Sequence, residues 1–140
     1  MSKPQALITG GSSGIGLALS ELLLRKGYHV HSVSRNPDRG PESASFTPLV
    51  FDLFEIERVT KFAQEFLQQY GVPDLLINNA GFGAFYEWAS FPEDQIFNQI
   101  NLLFTAPVLL IREIAPSMAE QGRGTILNLS SLATLYPLPY

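Results

Sequence analysis

Apolar residues follow two rhythms along this chain, and their alternation predicts its architecture. Residues 6–9, Ala-Leu-Ile-Thr, form a short apolar run ending on a glycine cluster, and residues 15–26 carry good helix formers up to Gly27. That is a strand, a glycine turn and a helix. Residues 28–34 and 49–51 predict a second and a third strand, each with β-branched or aromatic side chains and each ending in polar or turn-prone sequence. Between them residues 36–48, rich in Pro, Ser and charge, predict a surface loop. After Asp52 the spacing turns helical. Val59, Phe62, Phe66 and Leu67 share one face, Glu57, Lys61, Glu65 and Gln68 fall elsewhere, and Gly71 and Pro73 end the helix. Residues 75–77, Leu-Leu-Ile, predict a buried fourth strand.

Ser90-Phe91-Pro92-Glu93 has the spacing of a capping box with proline in the first turn, which predicts a helix from there towards Gln121. Pro107 and Pro116 are expected to kink or divide it. A fifth strand over 125–129 follows Gly122 and Gly124. Strands alternating with helices require a mostly parallel sheet covered on both faces, so the expected fold is α/β, a doubly wound parallel sheet.

Composition narrows the function. At 140 residues and 46% hydrophobic content the chain suits one domain with a real core. Its net charge of −4 comes from scattered acids and bases, with no Lys/Arg cluster to follow a phosphate backbone, so nucleic acid is not an expected partner. The longest apolar run, residues 102–111, is broken by Thr105 and Pro107, which predicts no membrane span. No secretory signal is read at the N-terminus, and the expected location is cytoplasmic. The absence of cysteine removes thiol chemistry, so redox work requires a cofactor.

In a doubly wound sheet the ligand sits at the carboxyl ends of the strands. There the sequence places Thr9-Gly10-Gly11-Ser12-Ser13-Gly14-Ile15-Gly16. Glycines at 10, 14 and 16 allow a tight turn, close approach of backbone to a pyrophosphate and close helix packing, with a helix N-terminus facing the anion. A nucleophile elbow also fits Gly10-Gly11-Ser12-Ser13-Gly14, but it needs a downstream histidine, and His29 and His31 both lie in the second strand. A phosphate-binding P-loop requires a lysine where Leu17 stands. The two histidines share a strand face without further ligands nearby, so no metal site is expected.

Thr-Gly-x-x-x-Gly-Ile-Gly resembles the N-terminal signature of the short-chain dehydrogenases/reductases. Three later elements extend the resemblance along the chain. Asn78-Asn79-Ala80-Gly81 is similar to the family's Asn-Asn-Ala-Gly element beside the cofactor, Asn101 to its helix asparagine, and Ser131, after Ser130, to its catalytic serine. The resemblance implies a nicotinamide-dependent oxidoreductase, this chain being the N-terminal, dinucleotide-binding part of a longer domain. It assigns cofactor contacts to Gly10, Ser12, Ser13, Gly14, Ile15, Gly16, Ser34, Arg35, Asp52, Leu53, Asn79, Ala80 and Gly81, and catalytic roles to Ser131 and Asn101. Asp52 also has capping-box spacing with Glu55.

NAD-dependent relatives carry an acid at the end of the second strand, where it binds the ribose hydroxyls; Ser34 and Arg35 stand there instead. An acid repels a 2′-phosphate and arginine binds one, which favours NADP(H) over NAD(H). Ser13 lacks the basic character found at this point in some NADP-dependent relatives. Phe82, Phe85, Tyr86, Trp88 and Phe91 read as core or subunit-contact residues, some of them lining the substrate entrance. The family's Tyr-x-x-x-Lys pair does not occur, and neither Tyr136 nor Tyr140 has the spacing to replace it. Two readings remain: the front part of an NADP(H)-dependent reductase or alcohol dehydrogenase acting on a small-molecule carbonyl or alcohol, or a dinucleotide-binding or interaction module without catalysis. Ile100, Leu103, Val108 and Ile111 add an expected homo-oligomer contact.

Overall fold

The computed structural model describes residues 3–36, 39–84, 86–132 and 135. Its order is β1 (Gln5–Thr9), α1 (Gly14–Arg25), β2 (His29–Ser34), β3 (Phe46–Val50), α2 (Ile56–Tyr70), β4 (Leu75–Asn78), α3 (Glu93–Ile100), a π-helical segment (Asn101–Thr105), α4 (Ala106–Glu120) and β5 (Thr125–Asn128). All four strand pairings are parallel, in the order β3-β2-β1-β4-β5. The chain steps outward from β1 to β3 and then returns to the other side of β1 for β4. That reversal opens a crevice at the carboxyl ends of β1 and β4.

Side chains alternate across the sheet with the strand period. Leu7, Val33 and Leu76 face α2 and α4, where Val59, Ala63, Phe66, Ala106, Leu110, Ile114 and Met118 bury the larger core. Ala6, Ile8, Val30 and Ile77 face the other way and meet Leu23 of α1. Each fully buried Leu or Ile contributes about 2–3 kcal/mol. Among the described residues α1 is the one helix on this second face, and Leu127, opposite Ile77 in the register, stays 43% exposed.

Several expected boundaries shift. β3 starts at Phe46, so Pro48 lies inside a strand and not in the loop. β3 is the outer strand and pairs with β2 alone, which leaves one edge where a residue without an N–H is tolerated. Neither capping box forms. The Asp52 carboxylate instead accepts the Phe54 N–H at 3.0 Å in a turn before α2, whose cap is Glu55. Ser90 closes a 3-10 turn by donating to the Glu87 carbonyl at 3.2 Å, and α3 begins after Pro92.

The prolines do not break the long helix. Ahead of Pro107 the backbone widens into the π segment, where the Ala106 N–H reaches back five residues to the Asn101 carbonyl, and Pro116 sits inside α4. The result is a continuous 28-residue helix, Glu93–Glu120, which by length and composition alone is apolar enough to cross a bilayer. Counting the uninterrupted apolar run in the sequence missed this. Leu102, Ala106, Leu110, Ile114 and Met118, four residues apart, are buried against the core and account for one apolar side of the helix.

At the opposite end of the sheet from the crevice, buried His31 donates from Nε2 to the Gln5 side-chain oxygen at 2.9 Å, and Gln5 donates to the Tyr70 carbonyl at 3.0 Å. The histidine pKa is lowered to about 4 by burial and, secondarily, by nearby His29. An unfolded histidine titrates near 6.5, so above that pH the group contributes nothing to the pH dependence of stability. Below it, the unfolded chain takes up a proton that the fold refuses. Stability is expected to fall from pH 6.5 to 4, by about 3 kcal/mol from this group. Urea unfolding at pH 7 and pH 4 should show His31→Gln losing that much less than the unmodified protein; equal losses would exclude His31 as the cause.

Candidate functional site

The crevice is stitched together by short polar contacts at the ends of β1 and β4. The Thr9 hydroxyl accepts the backbone N–H groups of Asn79 and Ala80, both at 3.0 Å, and donates to the Ile77 carbonyl at 3.4 Å. The Asn79 amide donates to the carbonyls of Thr9 at 2.9 Å and Gly10 at 3.2 Å. One asparagine therefore holds the glycine turn against the adjoining strand. Asn78 works on the other side, donating to the Asn128 side-chain oxygen at 2.8 Å and tying β4 to β5.

The glycines differ in purpose. Gly10 turns the chain with φ +70°, and its N–H donates to the Val33 carbonyl at 2.8 Å. Gly14 has φ +52° and open space around the missing Cβ. Gly16 is packed so closely that a Cβ would fall on the Gly10 carbonyl and the Asn79 amide. Gly11, to which the sequence assigned no role, is also filled in, by the Ser32 and Ser20 hydroxyls. α1 then starts at Gly14 with no side chain capping it, so its first-turn amides are left for an anion.

These elements border a cleft of about 790 Å³. Every residue expected to touch the dinucleotide lines it: Gly10, Ser12, Ser13, Gly14, Ile15 and Gly16 from the turn, Ser34 and Arg35 after β2, Asp52 and Leu53 after β3, and Asn79, Ala80 and Gly81 after β4. Arg35 lies over the Phe54 ring at 5.6 Å. Asp52 commits one carboxylate oxygen to the Phe54 N–H and keeps the other. The size and the donor set fit a dinucleotide: a turn that a Cβ would obstruct, uncapped helix amides, a carboxylate and a guanidinium.

The short chain dehydrogenase family model matches residues 4–140. The chain belongs to that family. A probable NADP-dependent dehydrogenase of Haemophilus influenzae is 34% identical over 98% of this short-chain dehydrogenase chain and 57% of its own length. Among solved structures, L-sorbose reductase from Gluconobacter frateurii, complexed with NADPH and L-sorbose, is 32% identical with a TM-score of 0.89, over 100% of this chain and 57% of that one. A 4-hydroxyisoleucine dehydrogenase complexed with NADH is 27% identical with a TM-score of 0.88, over 97% and 59%. The chain spans about half the length of the curated relatives it matches.

The two residues expected to be catalytic do not line the cleft as delimited by the described residues. Asn101 opens the π segment, half-buried beside the lining residue Leu102, and its amide has no hydrogen-bond partner among the described residues. Ser131 is exposed three residues past β5, which pairs in parallel with β4, so it leaves the sheet at the same end as Asn79. Tyr136, Tyr140 and Phe85 lie outside the described residues. Phe82 lines the cleft and meets Phe54 edge-on at 5.8 Å, whereas Tyr86 and Trp88 are 42% and 90% exposed and so are not core. The sequence reading missed Asn36, Arg39, Gln95 and Asn98, which also line the cleft. The loop after β2 and the helix that carries Asn101 fold over its rim, and periodicity carries no signal for that. A second arginine four residues beyond Arg35 was the one legible hint.

Proposed function

We propose that the protein carrying this chain transfers a hydride between NADP(H) and a small-molecule carbonyl or alcohol, with NAD(H) the weaker cofactor. The observation that carries the preference is Ser34-Arg35 on the cleft wall, where an acid would repel a 2′-phosphate. The bound dinucleotide supplies or accepts the hydride. The glycine turn and the α1 amides hold its pyrophosphate, the free oxygen of Asp52 and the Leu53 segment receive the adenine, and Asn79-Ala80-Gly81 flank the nicotinamide half. Ser131 orients the substrate oxygen and Asn101 holds a relay water. The NADP-linked name of the Haemophilus relative and the NADPH-bound sorbose reductase support the cofactor choice; the NADH-bound relative makes a direct test necessary.

Titration by nicotinamide fluorescence should show tighter binding of NADPH than NADH, and Arg35→Ala should weaken NADPH by about 1.5–3 kcal/mol with much less effect on NADH. Equal affinity of the unmodified protein for both cofactors would end this reading.

The same proposal includes a homo-oligomer. Ile100, Leu103 and Val108 are each nearly half exposed on the long helix, beside Phe97 and Phe104, whereas Ile111 packs on the core. A paired copy would bury that exposed row. Light scattering of the protein produced with whatever follows Tyr140 should give a dimer or larger, shifted towards monomer by Val108→Glu; a monomer at micromolar concentration removes the proposal.

A further inference from the structure

We propose that Ser20, buried in α1, is a positioning residue for cofactor binding: its hydroxyl holds the Gly11 carbonyl and so turns the next N–H, that of Ser12, into the cleft. The inference rests on the dinucleotide reading above, though not on the preference for NADP(H). Ser20 is fully buried, and its hydroxyl donates to the Gly16 carbonyl at 2.9 Å and to the Gly11 carbonyl at 3.4 Å. The first contact is the ordinary back-bond of a helical serine. The second leaves the helix and reaches the glycine turn. From the other flank the Asn79 amide holds the carbonyls of Thr9 and Gly10. Three successive carbonyls, of Thr9, Gly10 and Gly11, therefore each accept from a side chain of a neighbouring element.

A trans peptide places its C=O and the following N–H on opposite sides. With the Gly11 carbonyl facing Ser20 inside the molecule, the Ser12 N–H faces the other way, and Ser12 lines the cleft. Among the described residues that N–H has no protein acceptor, which leaves it to donate to an oxygen of the dinucleotide. The neighbourhood supplies its own contrast. A Cβ on Gly11 would fall 2.8 Å from the Ser20 hydroxyl oxygen and 2.5 Å from that of Ser32, so both hydroxyls pack under the turn. Ser32 is as deeply buried, yet its hydroxyl makes no hydrogen bond among the described residues. Two serines fill the space beside Gly11, and one of them grips the backbone.

The test compares Ser20→Ala with Ser32→Ala in the protein produced with whatever sequence follows Tyr140 in its reading frame. Both variants should stay folded, with urea midpoints close to that of the unmodified protein, because at position 20 the better helix propensity of alanine offsets the lost hydrogen bond. Ser20→Ala should nevertheless weaken NADPH and NADH alike, roughly 5- to 30-fold, on the scale between a neutral and a charged hydrogen bond. Ser32→Ala should change either cofactor less than about twofold, since no hydrogen bond is lost there. The Ser12 amide proton gives the direct readout by NMR. Saturating NADPH should shift it downfield in the unmodified protein and in Ser32→Ala, and much less in Ser20→Ala, while the Ile15 amide keeps its shift in all three. Equal losses of affinity in the two variants would assign the effect to packing and overturn the inference. So would a Ser20→Ala variant that binds both cofactors as the unmodified protein does, or one that loses affinity with the Ser12 shift intact. Equal affinity of the unmodified protein for NADPH and NADH would end the NADP(H) preference and leave the role of Ser20 standing. Binding of neither cofactor ends the dinucleotide reading and this inference with it.

Discussion

The 140-residue chain by itself is expected to show no NADPH oxidation above background against ketones or 3-oxoacyl thioesters, and extension through a Tyr-x-x-x-Lys element is expected to restore turnover. Hydride transfer to a carbonyl leaves an oxygen that must receive a proton. A phenol near its ordinary pKa of 10 is a poor donor and acceptor at pH 7 unless a neighbouring cation lowers that value. The five tyrosines are followed four positions on by Ser32, Asp74, Ser90 and Tyr140, or by the chain end, and never by lysine. Among the described residues β5 pairs with β4 alone, and that edge adds a second expectation. With Leu127 and Leu132 at 43% and 74% exposed, the chain alone should be marginally stable or associate through that edge. Ser131→Ala in the extended protein should lower kcat on the order of 10²–10³-fold, the scale of one lost hydrogen-bond donor to a reacting oxygen. Robust turnover by the unextended chain, purified free of host reductases, would defeat this account of its chemistry.

Gly16→Ala should abolish cofactor binding and destabilise the fold, whereas Gly14→Ala should cost far less. The two glycines sit two residues apart in one turn and are glycine for different reasons. At Gly16 a methyl group would occupy the space of the Gly10 carbonyl and the Asn79 amide, which join the turn to β4. Relief requires moving α1 away from the sheet. That costs about 3 kcal/mol or more and disperses the amides that face the cleft. At Gly14 nothing lies within 4 Å, so the penalty comes from φ +52° alone, about 1–2 kcal/mol. Urea unfolding with parallel cofactor titration separates them. Equal stability of the two variants would show that α1 does not depend on the contact at Gly16.

The elements of this fold were legible because each carries its own local signal. Apolar runs in β1, β2 and β4 and the one-sided spacing of Val59 and Phe66 report burial directly, so strands and helices fell close to their expected places. The glycine turn was legible too, since φ above zero is a backbone demand that residue type reveals. Where two local signals competed, the sequence misled. Pro48 looked like loop because proline breaks a ladder, yet an outer strand has one edge that needs no donor. Asp52 and Ser90 had capping spacing, yet each found a nearer partner, which spacing cannot rank.

What the sequence by itself determined was the order of strands and helices, the glycine turn after β1 and the absence of an acid at the end of β2, all properties of contiguous residues. Tertiary structure alone decided which distant segments share the cleft. Thr9 and Asn79 meet across some seventy residues of chain because β4 returns to pair with β1, and that pairing is a choice of neighbour that no local pattern encodes. The same return, with the loop resting on Phe46, brings Arg39 to the rim and leaves Gly16 no room for a side chain. Close packing between segments far apart in sequence is a property of the folded surface as a whole, and it exists only once the sheet has assembled.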